Sequence, residues 1–347
     1  MKRYLQTLVF FVVATAILPM ILGAATGRGN DVSITDESGK MTETESSPSN
    51  TQTSAPEQPP RDTFRVYVVS DDVTLTLSLE ELTTRVLYAE MPASFELEAL
   101  KAQAVAIRSY ILYAAAHPQD DERHPQADIC TDYSHCVAYR SYEDAVEAYG
   151  VVTADDTYCV MVDAVAATKG EYIAYNSEPI NAVFHAASAG RTESCKNIWG
   201  ADVPYLQSVE TPESDDVYRE KKAFLPSELK SLVEPLGVNT SYNPQSWFTE
   251  TVRNDSGRVD SVTICGTTLS GKTVRSLLGL RSTNFSVEFV GGYFVVTTVG
   301  YGHGVGLSQE GANTLAQNGA DYYTILAHYY PCGCIMSPTA SVMSPTA

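Results

Sequence analysis

The fold of this chain is built around one stretch, Tyr88-Ala-Glu-Met-Pro-Ala-Ser-Phe-Glu-Leu-Glu-Ala-Leu-Lys-Ala-Gln-Ala-Val-Ala-Ile-Arg-Ser-Tyr110. Its apolar residues recur with the spacing of one buried helix face, at Leu100, Ala104, Ile107 and Ile111. Pro92 disfavours helical geometry at Met91, which predicts a chain break directly after Glu90. Ser94 is a candidate N-cap for the helix that follows. The sequence therefore predicts a long, tightly packed helix with a carboxylate held at the turn before it.

Glu90 is the acidic residue at this break, and apolar residues flank it at Val86, Leu87 and Met91. Desolvation by such neighbours raises the pKa of a carboxyl group, because it disfavours the charged form. A raised pKa suits a general acid in the cleavage of a glycosidic bond. A single glutamate is more often a solvated surface group, so the residues alone leave both interpretations open.

Three stretches of the chain, in this order, resemble the stage II sporulation protein D (SpoIID/LytB) family. The first is the Glu-Met-Pro turn with the helix after it. The other two are Phe184-His-Ala-Ala-Ser-Ala-Gly-Arg-Thr-Glu193 and Gly300-Tyr-Gly-His-Gly-Val-Gly-Leu-Ser-Gln309. The resemblance covers roughly residues 64–331. The chain departs mildly from the family at Ala189, where relatives usually have Gly or Asn.

The resemblance implies a peptidoglycan lytic transglycosylase with Glu90 as its catalytic residue. Protonated Glu90 would donate to the oxygen between N-acetylmuramic acid and N-acetylglucosamine. The carboxylate would then accept the proton of the muramic C6 hydroxyl as a 1,6-anhydro ring closes. The implied substrate is glycan strands that lack stem peptides, and the implied role is septal thinning and engulfment during sporulation.

Partners are also implied by the resemblance, namely a sporulation cell-wall amidase and a polytopic membrane protein of the engulfment complex. An alternative from another class is a non-catalytic, peptidoglycan-binding activator of a cell-wall amidase, because some relatives are named amidase enhancers. A zinc hydrolase is a third interpretation.

Substrate contacts are implied at seven positions of the three stretches: Arg108, His185, Ser188, Thr192, Glu193, His303 and Gln309. The fork of donors on Arg108 suits it to a sugar carboxylate or to holding Glu90. Alternatively, Arg108 pairs with a nearby acid on the helix surface, and His185 and Glu193 only fix their loop. His303 is a further candidate for a second acid–base group. The glycines of 300–309 are not followed by Lys and lack a βαβ context, so the stretch is not a phosphate loop. We expect its backbone to approach a glycan closely.

A possible metal site is indicated by His124, Cys130, His135 and Cys136, which match the donor set of a tetrahedral zinc site. Their spacing is not that of a standard finger, and a Cys130–Cys136 disulfide is the alternative in an extracellular protein. Some clostridial relatives carry zinc in the same loop, so the resemblance favours zinc. Four protein ligands leave no open position, which predicts a structural metal that braces the wall of the cleft.

The N-terminal region carries an uncharged apolar run at residues 8–25 behind a basic start. It predicts a cytoplasmic stub at 1–6 and a transmembrane anchor at 7–25, with a cleaved signal peptide as the alternative. Residues 26–63 are polar and predict a flexible linker. The rest of the chain is thus expected outside the cytoplasm, attached to the cell membrane by a single span. The net charge of −19 argues against nucleic acid as a partner.

We predict a mixed α+β fold for the extracytoplasmic catalytic domain, at residues 64–334, and a disordered tail at 335–347. Alternating apolar residues predict strands at 64–69 and 73–79, with a short helix at 79–88 that delivers Glu90. A strand pair is expected from 171–175 and 180–185. Seven cysteines leave at least one thiol outside any set of disulfides. Cys332 and Cys334 are too close in sequence for an easy mutual disulfide and receive no role.

Overall fold

The computed structural model describes residues 62–118, 122–188, 190–214, 216, 218–240, 243–337 and 340–343. Nine α-helices and several small sheets among these residues confirm a mixed helix and strand fold. The predicted cytoplasmic stub, anchor and nearly all of the linker lie outside the described residues. Within the described ranges, no helix combines the length and apolar character needed to span a bilayer.

Helix α2 (Leu97–Ala116) is the centre of the larger of the two apolar cores that the described residues form. It packs against α1 (Leu79–Glu90), α4 (Val151–Ala167), strand β4 (Tyr172–Tyr175), α8 (Gln309–Gln317) and α9 (Tyr322–Tyr329). Its middle residues, Ala102 to Ile111, are all buried. Its alanines allow this close approach because they carry little side-chain volume. The helices and strands of this part, up to the point where a second core begins, are β1 (Thr63–Val68), β2 (Val73–Ser78), α1 (Leu79–Glu90), α2 (Leu97–Ala116), β3 (Ile129–Cys130), α3 (Tyr142–Tyr149), α4 (Val151–Ala167), β4 (Tyr172–Tyr175), β5 (Glu178–Pro179), β6 (Phe184–His185) and α5 (Cys195–Trp199).

The N-terminus of α2 differs from the prediction. The cap residue is Glu96 rather than Ser94, and its own side chain makes no capping hydrogen bond. Asn313, from a helix far along the chain, accepts the Glu96 backbone N–H at 2.8 Å. Glu98 accepts the backbone N–H of Tyr322 at 2.9 Å. The start of α2 is therefore fixed by contacts with distant residues and not by a capping side chain next to it in sequence.

The segment of the chain after α5 is an insertion that contains two three-stranded sheets. It forms a second apolar core. Trp247 stacks on Phe294 at its centre, with ring centroids 5.1 Å apart. Buried apolar side chains of the helices and both sheets complete this core. The elements of the insertion are β7 (Glu220–Phe224), α6 (Pro226–Val233), β8 (Phe248–Arg253), β9 (Val259–Ile264), β10 (Thr267–Ser270), α7 (Gly271–Leu277), β11 (Phe285–Val290) and β12 (Tyr293–Thr298).

The chain then returns to the first core, where two distant segments pair. Strand β13 lies parallel to β6, with Leu307 opposite Phe184 and Ser308 opposite His185. Strand β4 pairs with the two-residue β5 and with β14 (Cys334–Ser337), so the predicted pairing of 171–175 with 180–185 was wrong. The remaining elements are β13 (Leu307–Ser308), α8 (Gln309–Gln317), α9 (Tyr322–Tyr329), β14 (Cys334–Ser337) and β15 (Ala340–Met343).

The predicted disordered tail is partly ordered in the structure. Strand β14 continues to Ser337, and β15 pairs with it through Ile335–Met343 and Ser337–Ala340. The tail prediction was wrong for these residues because the antiparallel edge of β4 offers Cys334 to Met336 a backbone ladder. Such pairing depends on an edge built from distant residues, which the repeated, Pro-containing tail sequence does not reveal.

Candidate functional site

Glu90 is the last residue of α1 and lies at the predicted break. Met91 caps the helix with extended backbone angles, φ −128° and ψ 143°. The side chain of Glu90 is buried, with 1% of the residue exposed. Its Oε1 accepts the backbone N–H of Ala138 at 3.1 Å, and its Oε2 accepts the Gln309 side-chain amide at 3.4 Å. The carboxyl group is therefore held by one donor from the loop after α2 and one from the start of α8.

The environment of Glu90 favours its protonated form. Burial raises the pKa of this carboxyl from 4.5 to about 7, and the hydrogen bonds from Ala138 and Gln309 offset only part of that rise. A carboxyl group with a pKa near neutrality can both donate and take back a proton. Glu90 thus has the electrostatic character that its apolar neighbours in the sequence predicted.

The glycine-rich segment 300–309 lies against the segment 184–193, as three pairings show. Beside the β6–β13 pair, isolated bridges join Ala187 to Tyr301 and Glu193 to Val305. A Cβ atom at Gly306 would overlap the backbone oxygen of Val183, so this close approach requires glycine. The two segments form one surface that ends at Gln309, and Gln309 contacts Glu90. The structure therefore brings all three sequence motifs together.

His185, Ser188 and His303 form a buried cluster in this surface. The Nδ1 of His185 lies 3.1 Å from the Val305 carbonyl oxygen, and its Nε2 bonds the Ser188 hydroxyl. His303 Nδ1 accepts the Val305 N–H at 3.0 Å. Burial lowers the pKa of His303 to about 3 and moves that of His185 in the same direction. Both imidazoles are neutral at physiological pH, so His303 is unsuited to act as a charged general acid.

Thr192 and Glu193 fix the loop that follows β6. Thr192 exchanges hydrogen bonds with the backbone of Val209. Glu193 is fully buried and accepts hydrogen bonds from Ser194, Asn197, Asn254 and Ser256 at 2.6–2.8 Å. Two of these donors belong to the turn between β8 and β9 of the insertion. The geometry of Glu193 matches the alternative in which it holds its loop in place.

Arg108 lies elsewhere, and its predicted contact with substrate or Glu90 does not fit the structure. The residue is fully buried, and acceptors of the protein itself take up its guanidinium donors. Its guanidinium pairs with Glu80 at 2.7 Å and also donates to Thr168 and to the carbonyl of Val165. Arg108 therefore ties α1, α2 and α4 together. The acid partner was foreseen, but the Arg108 side chain is in the interior, and only Glu80, 28% exposed, reaches the surface.

The candidate metal ligands His124, Cys130, His135 and Cys136 are all buried, and their donor atoms lie within 4.8 Å of one another. Cys130 Sγ is 3.3 Å from His135 Nδ1, and Cys136 Sγ is 3.5 Å from both His135 Nδ1 and His124 Nε2. Donors around one tetrahedral zinc ion are separated by about 3.3–3.8 Å, given its bond lengths. These three separations match such an ion, and both cysteines are free thiols.

The metal cluster connects to Glu90 through the backbone, since Ala138 follows Cys136 by two residues and donates to the carboxyl group. This donor was not predicted, because a backbone N–H has no sequence signature. Glu213 was also missed: it is buried and accepts hydrogen bonds from the Ser188 N–H and the Ser308 hydroxyl. It lies in a polar stretch that gives no periodic signal, and it joins the two downstream motifs.

Comparison with known proteins gives consistent results. The family model "Stage II sporulation protein" (SpoIID) matches residues 70–175. Stage II sporulation protein D of Bacillus subtilis (strain 168) is 34% identical over 268 residues, which is 76% of both chains. That of Bacillus amyloliquefaciens is 33% identical with the same coverage. The "Amidase enhancer" of Bacillus subtilis is 26% identical over 70% of this chain and 38% of its own length.

These similarities show that the chain belongs to the stage II sporulation protein D family. The matched region includes the break at Glu90, the whole of α2 and the metal-cluster loop. The two downstream motifs lie beyond the family model.

Proposed function

We propose that this protein is a lytic transglycosylase that cleaves the bond between N-acetylmuramic acid and N-acetylglucosamine in glycan strands lacking stem peptides. The observation that carries the proposal is the buried carboxyl group of Glu90, whose pKa is raised to about 7. Family membership supports a role in sporulation, and we propose septal thinning and engulfment as that role.

Glu90 first acts as the acid. Its proton goes to the bridging oxygen as the bond from that oxygen to muramic C1 breaks. The C6 hydroxyl of the same muramic residue then bonds to C1, and its proton passes to the Glu90 carboxylate. No water is consumed, and the carboxyl group returns to its starting form. One buried carboxyl with a pKa near 7 suits both proton transfers, and its hydrogen bonds to Ala138 and Gln309 orient it for them.

Zinc is the metal we propose for His124, Cys130, His135 and Cys136. The zinc ion would have a structural role there, because four protein donors complete its tetrahedral coordination. The ordered loop would then present the Ala138 N–H to Glu90. His185, Ser188, His303 and Gln309 are proposed to line the glycan path, and Thr192 and Glu193 to fix the loop beside it. A membrane anchor at 7–25, and partnership with an amidase and a polytopic membrane protein, complete the proposal.

Mass spectrometry of digestion products tests this function. Wild-type protein incubated with denuded glycan should release fragments with 1,6-anhydro-muramyl ends, and Glu90→Gln should release fewer by several orders of magnitude. Glu250→Gln, at an exposed position on β8, is the matched control and should resemble wild type. Wild-type levels of anhydro ends from Glu90→Gln would refute the proposal.

The relative named "Amidase enhancer" favours a second candidate function, in which the chain binds peptidoglycan and activates an amidase without cleaving glycan. The two functions differ in their dependence on Glu90. If wild-type protein yields no anhydro ends while Glu90→Gln still stimulates a cell-wall amidase, the binding function is the correct one. If chelation abolishes cleavage while Glu90→Gln is nearly normal, a zinc hydrolase is correct.

A further inference from the structure

One buried arginine of the insertion contacts both downstream motifs, the segments 184–193 and 300–309. Arg258 is the last residue of the turn between β8 and β9, and only 1% of it is exposed. Removing a guanidinium group from water is costly, so a buried arginine needs hydrogen bonds and opposite charges around it. The contacts that Arg258 makes therefore indicate its role.

The guanidinium of Arg258 holds both ends of the short segment 188–191. Its Nη1 donates to the carbonyl oxygen of Arg191 at 2.9 Å, and its Nη2 donates to that of Ser188 at 3.3 Å. The backbone of Arg258 is fixed in turn, because its N–H donates to the Asn254 Oδ1 at 3.1 Å. The planar fork of an arginine can reach two carbonyl groups at once, which the single nitrogen of a lysine does less well.

The same guanidinium lies against Gly304 of the glycine-rich segment. A Cβ atom at Gly304 would overlap the Cζ, Nε and Nη2 atoms of Arg258. Gly304 directly follows His303, and the hydroxyl of Ser188 bonds the imidazole of His185. The centroids of these two imidazole rings are 5.6 Å apart. Arg258 therefore contacts the backbone on both sides of the histidine pair.

The charge of Arg258 is compensated on one side and acts on the histidines on the other. Burial lowers the pKa of its guanidinium, and attraction to the carboxylates of Glu193 and Glu213 offsets part of that fall. Burial, followed by the charges of Arg275 and Arg258, lowers the pKa of His303 to about 3. A neutral imidazole has one nitrogen that donates and one that accepts, so it can bond sugar hydroxyls in either sense.

The turn that carries Arg258 also holds the end of the segment 184–193. The Asn254 side-chain amide and the Ser256 hydroxyl donate to Glu193 Oε2 at 2.6 and 2.7 Å. The backbone N–H of Glu193 donates to the Gly304 carbonyl oxygen at 2.7 Å. The insertion is thus joined to the surface formed by the two motifs through several buried contacts, and Arg258 is the one that touches both motifs.

We propose that Arg258 is a positioning residue for glycan binding, which fixes the spacing between the His185–Ser188 side and the His303 side of the glycan path. The insertion then completes the glycan-binding surface, although the groups that bond Glu90 come from other parts of the chain. This inference rests on the proposed function and adds to it a requirement for the insertion.

Sedimentation of the full-length protein with insoluble denuded glycan tests the role of Arg258 in binding. The Glu90→Gln background prevents turnover. Arg258→Met should weaken binding by about tenfold, because it removes two buried hydrogen bonds. Arg258→Lys keeps the charge but not the fork, and should still weaken binding by about threefold or more. Lys230→Met is the control: it removes a positive charge from α6 of the insertion, where Lys230 pairs with Glu234 on the surface, and should bind normally.

Steady-state kinetics of the active protein separate positioning from a general loss of folded protein. Arg258→Lys should raise KM by about threefold or more and change kcat by less than about twofold, because the Glu90 contacts with Ala138 and Gln309 are unchanged. A smaller folded fraction would instead lower kcat at constant KM.

Wild-type affinity and KM in Arg258→Lys would overturn the role of the guanidinium fork, and a fall in kcat at constant KM would show that Arg258 only supports folding. If Arg258→Met does not fold, the lysine variant still decides between these outcomes. The result is separable from the proposed function. Glycan binding that depends on Arg258 without any anhydro products would refute the transglycosylase alone, whereas normal products with binding that is independent of Arg258 would refute this inference alone.

Discussion

Replacing Glu90 with Gln should stabilise the protein at alkaline pH while abolishing its activity. The folded protein binds this proton with a pKa of about 7, against 4.5 for an ordinary glutamate in the unfolded chain. As pH rises from 4.5 to 7, the unfolded chain loses the proton first, so unfolding becomes progressively more favourable. The difference of about 2.5 pKa units corresponds to about 3 kcal/mol of destabilisation, fully present above pH 7 and absent below 4.5.

Urea unfolding of wild type and Glu90→Gln at about pH 4.5 and about pH 8.5 measures this effect. The neutral amide can still accept the Ala138 N–H, so the main change is loss of the buried charge. We expect equal free energies of unfolding at the lower pH, and a Gln variant more stable by about 3 kcal/mol at the higher pH.

The control for this prediction is Glu250→Gln, which should differ little from wild type at either pH because the residue is exposed on β8. A Glu90→Gln variant that is less stable than wild type at both pH values would show that the native carboxyl is charged and well solvated. That result would refute the assignment of Glu90 as a neutral acid.

Four other outcomes follow from the same contacts. Glycan cleavage should fall as pH rises through about 7, where Glu90 loses its proton; a rate that rises there would contradict its role as acid. Arg108→Met should lower the free energy of unfolding by about 1–3 kcal/mol in urea, because Thr168 and the Val165 carbonyl lose a buried donor; an unchanged free energy of unfolding would contradict a structural role. Gly311→Ala should cost about 1–3 kcal/mol, since its Cβ would overlap Thr211 and neighbouring side chains; an unchanged urea midpoint would contradict that packing. Elemental analysis should find one zinc per chain, lost in Cys130→Ser; a disulfide at Cys130 in the mass spectrum would contradict the metal site.

Local sequence rules predicted the parts of the structure that depend on local geometry. Pro92 fixes the break after Glu90, and helical periodicity locates the buried face of α2. The four metal-ligand candidates lie close enough in sequence for one loop to bring them together, as the structure does. In each case, the residues that determine the feature are near neighbours in the chain.

Features that depend on distant contacts were not predicted. Asn313, rather than Ser94, closes the start of α2, because a helix 217 residues away is packed against it. Arg108 is buried because Glu80 and the end of α4 surround it, and nothing in its own helix indicates this. The Ala138 N–H that holds Glu90 is a backbone group, which any residue would supply. Tertiary packing determined all three.

Cleavage of denuded glycan in water enriched in oxygen-18 tests the central claim most directly. If Glu90 passes one proton between two sugar oxygens, the wild-type products should carry no label, and each muramyl end should be lighter by one water than a hydrolysis product. Glu90→Gln should give no such ends. Labelled reducing ends from the wild-type protein would show that water is the nucleophile and would contradict the account.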